Sequence, residues 1–241
     1  MKETAAFFDI DGTLYREGLI TEMFKKLIRY EIIDPERWYK EVKPDYDRWD
    51  KRRGNYDDYL LRMATIYVEA IKGLHQTHID FIAKKIIEQK GDRVYTYTRD
   101  QIEFHRNQRH RLIIVSGSPQ ELVREMAKKH GFDDYIGSHY VIEKSLYTGD
   151  VLPMWDSHNK EKAIYDLVER YHIDLDASFA YGDTMGDYSM LKMVGHPTIV
   201  NATREVYTKI AADQELSNRI NVIVERKDMI YRLTPAYIEV L

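Results

Sequence analysis

Residues 5–14 read Ala5-Ala6-Phe7-Phe8-Asp9-Ile10-Asp11-Gly12-Thr13-Leu14. Four apolar residues in a row predict a short strand buried on both faces, as the central strands of parallel sheets are. Two carboxylates follow where that strand should end, and Gly12 allows a sharp turn with φ > 0 at little cost. In open α/β sheets the chemistry gathers just beyond the carboxyl ends of the strands. Acids this close repel one another unless a cation neutralises them. A site offering a carboxylate, a backbone carbonyl and waters suits Mg²⁺.

A second cluster repeats the pattern. Phe179-Ala180-Tyr181-Gly182-Asp183-Thr184-Met185-Gly186-Asp187 reads as strand, glycine turn and carboxylates leading into a helix. Strand-end acids far apart in sequence can meet at one metal in a parallel sheet.

Working outward, Leu19, Met23, Leu27 and Ile28 recur at helical spacing, as do Tyr59, Leu60, Met63, Ile66, Tyr67 and Ala70 after a break at Gly54-Asn55. Ile79, Ile82, Ala83, Ile86 and Ile87 do so again before Gly91. No strand-like alternation interrupts residues 16–90, so 16–91 is expected to be a helical insertion. From Val94 the chain returns to alternation. Helices are predicted at 95–109, 120–130, 160–171 and 187–194. Strands are predicted at 112–116, 178–181 and 198–200, with 221–224 a further candidate. His139–Glu143 and Leu146–Thr148 are read as a short hairpin. Strands alternating with helices imply parallel βαβ units. The fold class expected is therefore α/β, a doubly wound Rossmann-like sheet (residues 1–15 and 92–241) with an inserted helical cap domain (16–91).

The balance of 36 basic and 40 acidic side chains argues against a nucleic-acid protein held by bulk charge. The absence of cysteine excludes disulfides and thiolate metal sites and suits a reducing cytoplasm. No apolar run approaches the ~20 residues of a membrane span. A cleaved signal peptide is not expected, because the first strand and its acids already stand at residues 5–11. No HExxH, P-loop, GxGxxG or GxSxG pattern occurs.

In this order the motifs resemble those of the haloacid dehalogenase superfamily, in the branch that includes phosphoserine phosphatase. Leu112-Ile113-Ile114-Val115-Ser116-Gly117-Ser118-Pro119 resembles the second motif, a strand ending in a phosphate-binding serine. Lys160, 23 residues before Asp183, resembles the third, with Lys162 as a competitor. The resemblance runs from Ala5 to about Asn201 and is weakest over residues 15–111.

The resemblance implies an Mg²⁺-dependent phosphomonoester hydrolase. Asp9 is the nucleophile, and a carboxylate can take a phosphoryl group covalently. Asp11 is the general acid and base, and its main chain carries a metal ligand. Ser116 and the Gly117 amide bind phosphate at a helix N-terminus. Lys160 supplies charge to the transition state. Asp9, Asp11, Asp183 and Asp187 form the metal set. The substrate expected is a small phosphorylated metabolite, with no nucleic-acid or membrane partner and the oligomeric state open. Phosphoserine itself is unsupported. The branch carries a Glu after the first motif and an Arg in the cap, but here Gly18 aligns with the Glu, beside Glu17, and Met63 with the Arg, beside Arg62. The tyrosines and tryptophans of residues 30–67 are read as bundle packing rather than a cationic headgroup pocket. The run His105–Arg111 is read as a solvated helix end. Two alternatives remain: phosphotransfer to an acceptor alcohol, and an idle sensor of phosphorylated ligands, which the intact Asp11 disfavours. Dehalogenation is disfavoured by acids in both clusters.

Overall fold

The computed structural model of the chain describes residues 2–54 and 56–238; Asn55 of the Gly54-Asn55 break lies outside them, as do residues 239–241. Eight strands form one sheet: β1 (Ala5–Phe8), β2 (Arg111–Pro119), β3 (Asp134–Glu143), β4 (Leu146–Leu152), β5 (Phe179–Gly182), β6 (His196–Val200), β7 (Asn221–Arg226) and β8 (Met229–Leu233). Their spatial order is β4-β3-β2-β1-β5-β6-β7-β8. The strands from β3 to β7 run parallel, and antiparallel β4 and β8 close the two edges.

The helices are α1 (Leu19–Arg29), α2 (Pro35–Arg37), α3 (Lys43–Asp50), α4 (Tyr56–Ile71), α5 (Gln76–Lys90), α6 (Thr96–Asn107), α7 (Gln120–His130), α8 (Ser157–Tyr171), α9 (Tyr188–Met193), α10 (Arg204–Ala212) and α11 (Gln214–Ser217). A π-helical turn over Trp38–Val42 joins α2 to α3.

The two-residue period of β1 splits the core. Ala6 and Phe8 join the cluster that holds Ile102, Leu122 and Met126, while Ala5 and Phe7 join Ile164, Leu167, Met190 and Ile210 on the other face. Helices thus cover both faces, which is what doubly wound means physically. Because β1 is flanked by β2 and β5, the order reverses beside it, and the crevice at that switch point is where such sheets bind ligands.

The helical insertion enters and leaves the sheet domain by two chain crossings lying side by side. Tyr15 bridges Val94 antiparallel, Arg16 N donates to the Arg93 carbonyl at 3.0 Å, and Tyr95 N donates to the Leu14 carbonyl at 2.9 Å. Glu17 pairs with Arg93 at 2.7 Å across the same neck. The far end is tied as well. Gly73 N donates to the Tyr147 carbonyl at 2.8 Å, and Tyr147 N to the Leu74 carbonyl at 3.0 Å, joining the α4–α5 turn to the β3–β4 hairpin. Lys144 and Ser145 take positive φ in that hairpin, as a two-residue turn of its twist requires. The apolar side chains of α1, α4 and α5 are continuous with the core on one sheet face.

Most of the insertion's aromatic residues pack against one another. Tyr46 lies 5.7 Å from Trp38, 5.7 Å from Trp49 and 5.6 Å from Tyr59, ring to ring. Tyr67 is buried against Tyr140, while Tyr30 and Tyr39 are exposed. The Tyr56 side chain lies outside the described part. The run His105–Arg111 ends α6 ahead of β2 with residues 106–109 exposed, and its two ends turn to partners. His105 is fully buried, with Nε2 2.8 Å from the Tyr181 hydroxyl, and Arg111 pairs with Glu3 at 2.7 Å. Among the described residues no helix is long and apolar enough to cross a membrane.

Several elements differ in extent from their sequence reading, and β3 begins at Asp134 rather than His139 while β4 runs to Leu152 rather than Thr148. β2 continues through Pro119 rather than stopping at Ser116, with a register irregularity between Val115 and Pro119 against β3. Helix α8 begins at Ser157, capped by Asp156, whose carboxylate accepts the Asn159 amide at 2.9 Å. Asp187 ends a 3₁₀ turn (Met185–Asp187) instead of opening α9.

Candidate active site

Asp9 follows β1, Gly117 and Ser118 lie in the last residues of β2, Asp183 follows β5, and Lys160 is on the first turn of α8. The sheet brings these four segments to one crevice. Lys160 is 3% exposed, with Nζ 2.7 Å from Asp9 Oδ1 and 2.5 Å from Asp187 Oδ1. Lys162 is exposed, so the buried ammonium at the site is that of Lys160.

Asp187 is fully buried and both its oxygens are engaged. Oδ1 takes Lys160, while Oδ2 accepts the amides of Asp183 and Thr184, each at 3.0 Å. This carboxylate holds the loop after β5 and aims the lysine at Asp9. Asp183 Oδ1 accepts the Thr13 hydroxyl at 3.0 Å. Gly12 stands against Asp183 with φ +85°, and a Cβ there would come 2.1 Å from Asp183 Oδ2. The glycine is required twice over, by conformation and by space.

Asp11 turns its carboxylate the other way. Oδ1 accepts the Leu19 amide at 2.8 Å, at the start of α1, and Oδ2 accepts the Ser118 hydroxyl at 2.5 Å. Ser116 is fully buried, and its Oγ accepts the Ser118 amide at 3.2 Å. The Gly117 carbonyl is fixed by the Ser138 hydroxyl at 2.7 Å.

Carboxylate oxygens of Asp9, Asp183 and Asp187 lie within 4.8 Å of one another, all three residues buried. The Asp11 carboxylate is outside that group. Burial pushes the Asp9 carboxyl up to about 8; Lys160 opposes the rise, while Asp187 and Asp11 add to it. Burial likewise lifts Asp183 well above its ordinary value, with Asp187 and Asp9 adding to the effect. Asp11 is lifted to about 6 by burial, against the pull of the Ser118 and Leu19 hydrogen bonds. Burial alone would lower the Lys160 ammonium, but Asp187 and Asp9 outweigh it and hold it above the ordinary range. Three buried carboxylates face one buried ammonium, leaving two negative charges without a counterpart. A divalent cation balances that deficit, and oxygen-only donors fit a hard cation.

Asp9, Asp11, Gly117, Ser118 and Lys160 line a cavity of about 420 Å³. Its remaining walls include Ile20, Leu60, Leu61 and Ala64 from the insertion, with Trp155 and Met185 from the sheet domain. Asp183 and Gly12 face a separate cavity on the other side of the β1 loop. The sequence pattern did not mark the Thr13 and Ser118 hydroxyls as carboxylate partners, nor Trp155 as a wall of the site. The first two hold carboxylates of the site, and their hydroxyls were legible only as turn formers. Trp155 precedes α8 in an irregular segment with no periodicity to mark it.

Comparison with known proteins gives the family and the fold. The family model for haloacid dehalogenase-like hydrolases matches residues 6–192. A probable phosphatase of Mycobacterium tuberculosis is 24% identical over 210 residues, covering 83% of this chain and 70% of that one. A phosphoserine phosphatase of the same organism is 22% identical over 205 residues, covering 82% and 64%. Among solved structures, a protein of unknown function from Bordetella pertussis Tohama I superposes with a TM-score of 0.72 at 15% identity, covering 88% of this chain and 96% of that one. A phospho-aspartyl intermediate analogue of phosphoserine phosphatase superposes with a TM-score of 0.59 at 21% identity, covering 95% and 96%.

Proposed function

The chain belongs to the haloacid dehalogenase-like hydrolases, and from that premise we propose that it is an Mg²⁺-dependent phosphatase releasing inorganic phosphate from a small phosphorylated metabolite. The reaction runs through a phospho-aspartate on Asp9. The observation that carries this reading is the Lys160 ammonium, buried between Asp9 and Asp187 where the ends of β1 and β5 meet, beside the Gly117–Ser118 turn.

Asp9 has one oxygen tied to Lys160, and its other oxygen attacks phosphorus. The ester P–O bond breaks, and Asp11 gives its proton to the departing oxygen. A water then attacks the phosphorus, passing its proton to Asp11, and the bond to Asp9 breaks to free phosphate and restore both carboxyls. A carboxyl held near 6 suits both proton transfers, and such help is typically worth ~10²–10⁴-fold. Ser118 and the Leu19 amide keep Asp11 aimed into the cavity rather than toward the metal group. The Gly117 and Ser118 backbone, with Ser116 buried beneath, forms the phosphate cradle. Asp9, Asp183 and the Asp11 main chain would hold the Mg²⁺, with Asp187 fixing Lys160 and the Asp183 loop behind them. When bound, the ion neutralises phosphoryl charge at the transition state.

Residues 16–91 act as a cap over a core of 1–15 and 92–241. Absence of cysteine favours a cytoplasmic setting. The test is phosphate release from a panel of phosphomonoesters with and without Mg²⁺. Metal-dependent release in the wild type, lost in Asp9→Asn, is expected. Release that survives Asp9→Asn would remove the covalent mechanism.

A further inference from the structure

The leaving group must occupy the part of the cavity that faces away from Asp9 and Lys160. Of the side chains that line the cavity beyond the catalytic group, six are apolar: Ile20, Leu60, Leu61, Ala64, Met185 and Trp155. Resting on the phosphatase reading above, we propose that the site accepts phosphate esters of an uncharged, apolar alcohol, a medium-length alkyl chain or a single ring, and discriminates against esters of amino acids.

The one cation that lines the cavity is already spent. Asp9, Asp11 and Lys160 belong to the chemistry. Asp156 accepts from Asn159 at both oxygens, through the amide N at 2.9 Å and Nδ2 at 2.6 Å, and stays an anion at the cavity wall. Among the described residues no other ionisable side chain lines the cavity. Arg62, one residue from Leu61, lines a different hollow with Asp45 and Arg48, and its Nε lies 3.8 Å from Asp45. An amino-acid leaving group would therefore bring its carboxylate into a site with no free cation to meet it, and unpaired buried charge is strongly disfavoured.

Apolar leaving groups gain where charged ones lose. Leu61 is 47% exposed and Trp155 36%, one from α4 and the other from the segment before α8. A bound alkyl chain or ring would cover apolar surface now facing water. The wall is also fixed in place, because the backbone hydrogen bonds between Gly73, Leu74 and Tyr147 anchor the end of α4 to the β3–β4 hairpin. Its volume of about 420 Å³ is in the range of small-molecule sites, roughly 300–1,000 Å³.

The test has a binding arm and a turnover arm, both on the full chain with Mg²⁺. Calorimetry with ethyl-, butyl- and hexylphosphonate, whose C–P bond resists hydrolysis, is expected to show affinity rising by about threefold or more per methylene. The phosphonate analogue of phosphoserine should bind more weakly than ethylphosphonate. In turnover, kcat/KM for hexyl phosphate should exceed that for phosphoserine by about 100-fold, since polar mismatch is rejected more strongly than a missing methylene. Leu61→Arg, at the exposed rim, should narrow that ratio at least tenfold. Affinity flat with chain length, or phosphoserine turned over faster than hexyl phosphate, overturns the inference while leaving the phosphatase reading intact. Chain-length-dependent binding with no turnover of any ester supports the apolar site and overturns the phosphatase reading instead.

Discussion

Replacing Lys160 by methionine keeps most of the side-chain volume and deletes the charge between Asp9 and Asp187. At an effective dielectric constant near 20, each of the two contacts at 2.7 and 2.5 Å corresponds to ~6 kcal/mol of Coulomb attraction. Desolvation of three buried ions cancels much of it, and removing one partner of a buried pair typically costs ~3–5 kcal/mol. For a chain of 241 residues that corresponds to a melting point lower by about 6–20 °C. The loss should depend on pH in a definite sense. The variant leaves Asp9 without its cation, so protonating that carboxyl, which burial already raises, relieves it, and the deficit should shrink as pH falls. Adding Mg²⁺ should recover part of the stability at pH 7.5, because the ion would neutralise Asp9 directly, but not phosphate release, because the lysine's donor is gone. Thermal unfolding at pH 5.5 and 7.5, with and without Mg²⁺, measures all of this. A shift below about 2 °C that is the same at both pH values would refute the claim that Lys160 is the counter-ion of the site.

Other perturbations follow from the same geometry. Gly12→Ala places a methyl group 2.1 Å from an Asp183 oxygen at φ +85°, so Mg²⁺ affinity read by titration should fall at least tenfold while the sheet, read by circular dichroism, persists. Ser118→Ala removes the hydroxyl that Asp11 accepts. A hydrogen bond to a charged group is worth ~1.5–3 kcal/mol, so kcat should drop by at least tenfold with KM nearly unchanged. The Asp9 carboxyl is raised to about 8 in the fold, so the folded state holds the extra proton and stability declines as pH rises toward 8. Through Asp9 the metal-free protein should therefore lose about 2 kcal/mol between pH 6.5 and 8, and Asp9→Asn should reduce the slope while leaving the part that Asp183 contributes in the same sense. That window is clear of His105, which burial lowers to about 3 and whose stabilising contribution is lost only below its ordinary 6.5.

Much of the fold was legible because its signals are local. The Ala5–Phe8 run reads as a buried strand from composition alone, and the helical periods of residues 19–28, 59–70 and 79–87 follow from which residues face the core. The hairpin was legible over 139–148, but its strands run from Asp134 to Leu152, and the first half of β3 pairs parallel with β2. Strand β8 was missed because four of its five residues, Met229 to Arg232, are exposed at the sheet edge and show no alternation. The turns over 35–50 were missed because they pack by interlocked aromatic rings rather than by one periodic face. The His105–Arg111 run was legible as a solvated helix end before a strand, with residues 106–109 exposed at the end of α6 ahead of β2. His105 alone is drawn inward, by the Tyr181 hydroxyl from a strand 76 residues away in sequence.

The site divides along the same line. The sequence by itself determined which acids, which serine turn and which lysine stand at strand ends and helix starts, because backbone turns and strand termini are set by neighbours in the chain. Only the tertiary structure decided what each of them touches. It committed both oxygens of Asp187 to Lys160 and the Asp183 loop, turned Asp11 toward Ser118 and Leu19, and drew Thr13 to Asp183. It also walled the cavity with α4 and Trp155. Those pairings join residues up to 170 positions apart, and a buried carboxylate takes its partner and its proton affinity from whatever the fold packs beside it.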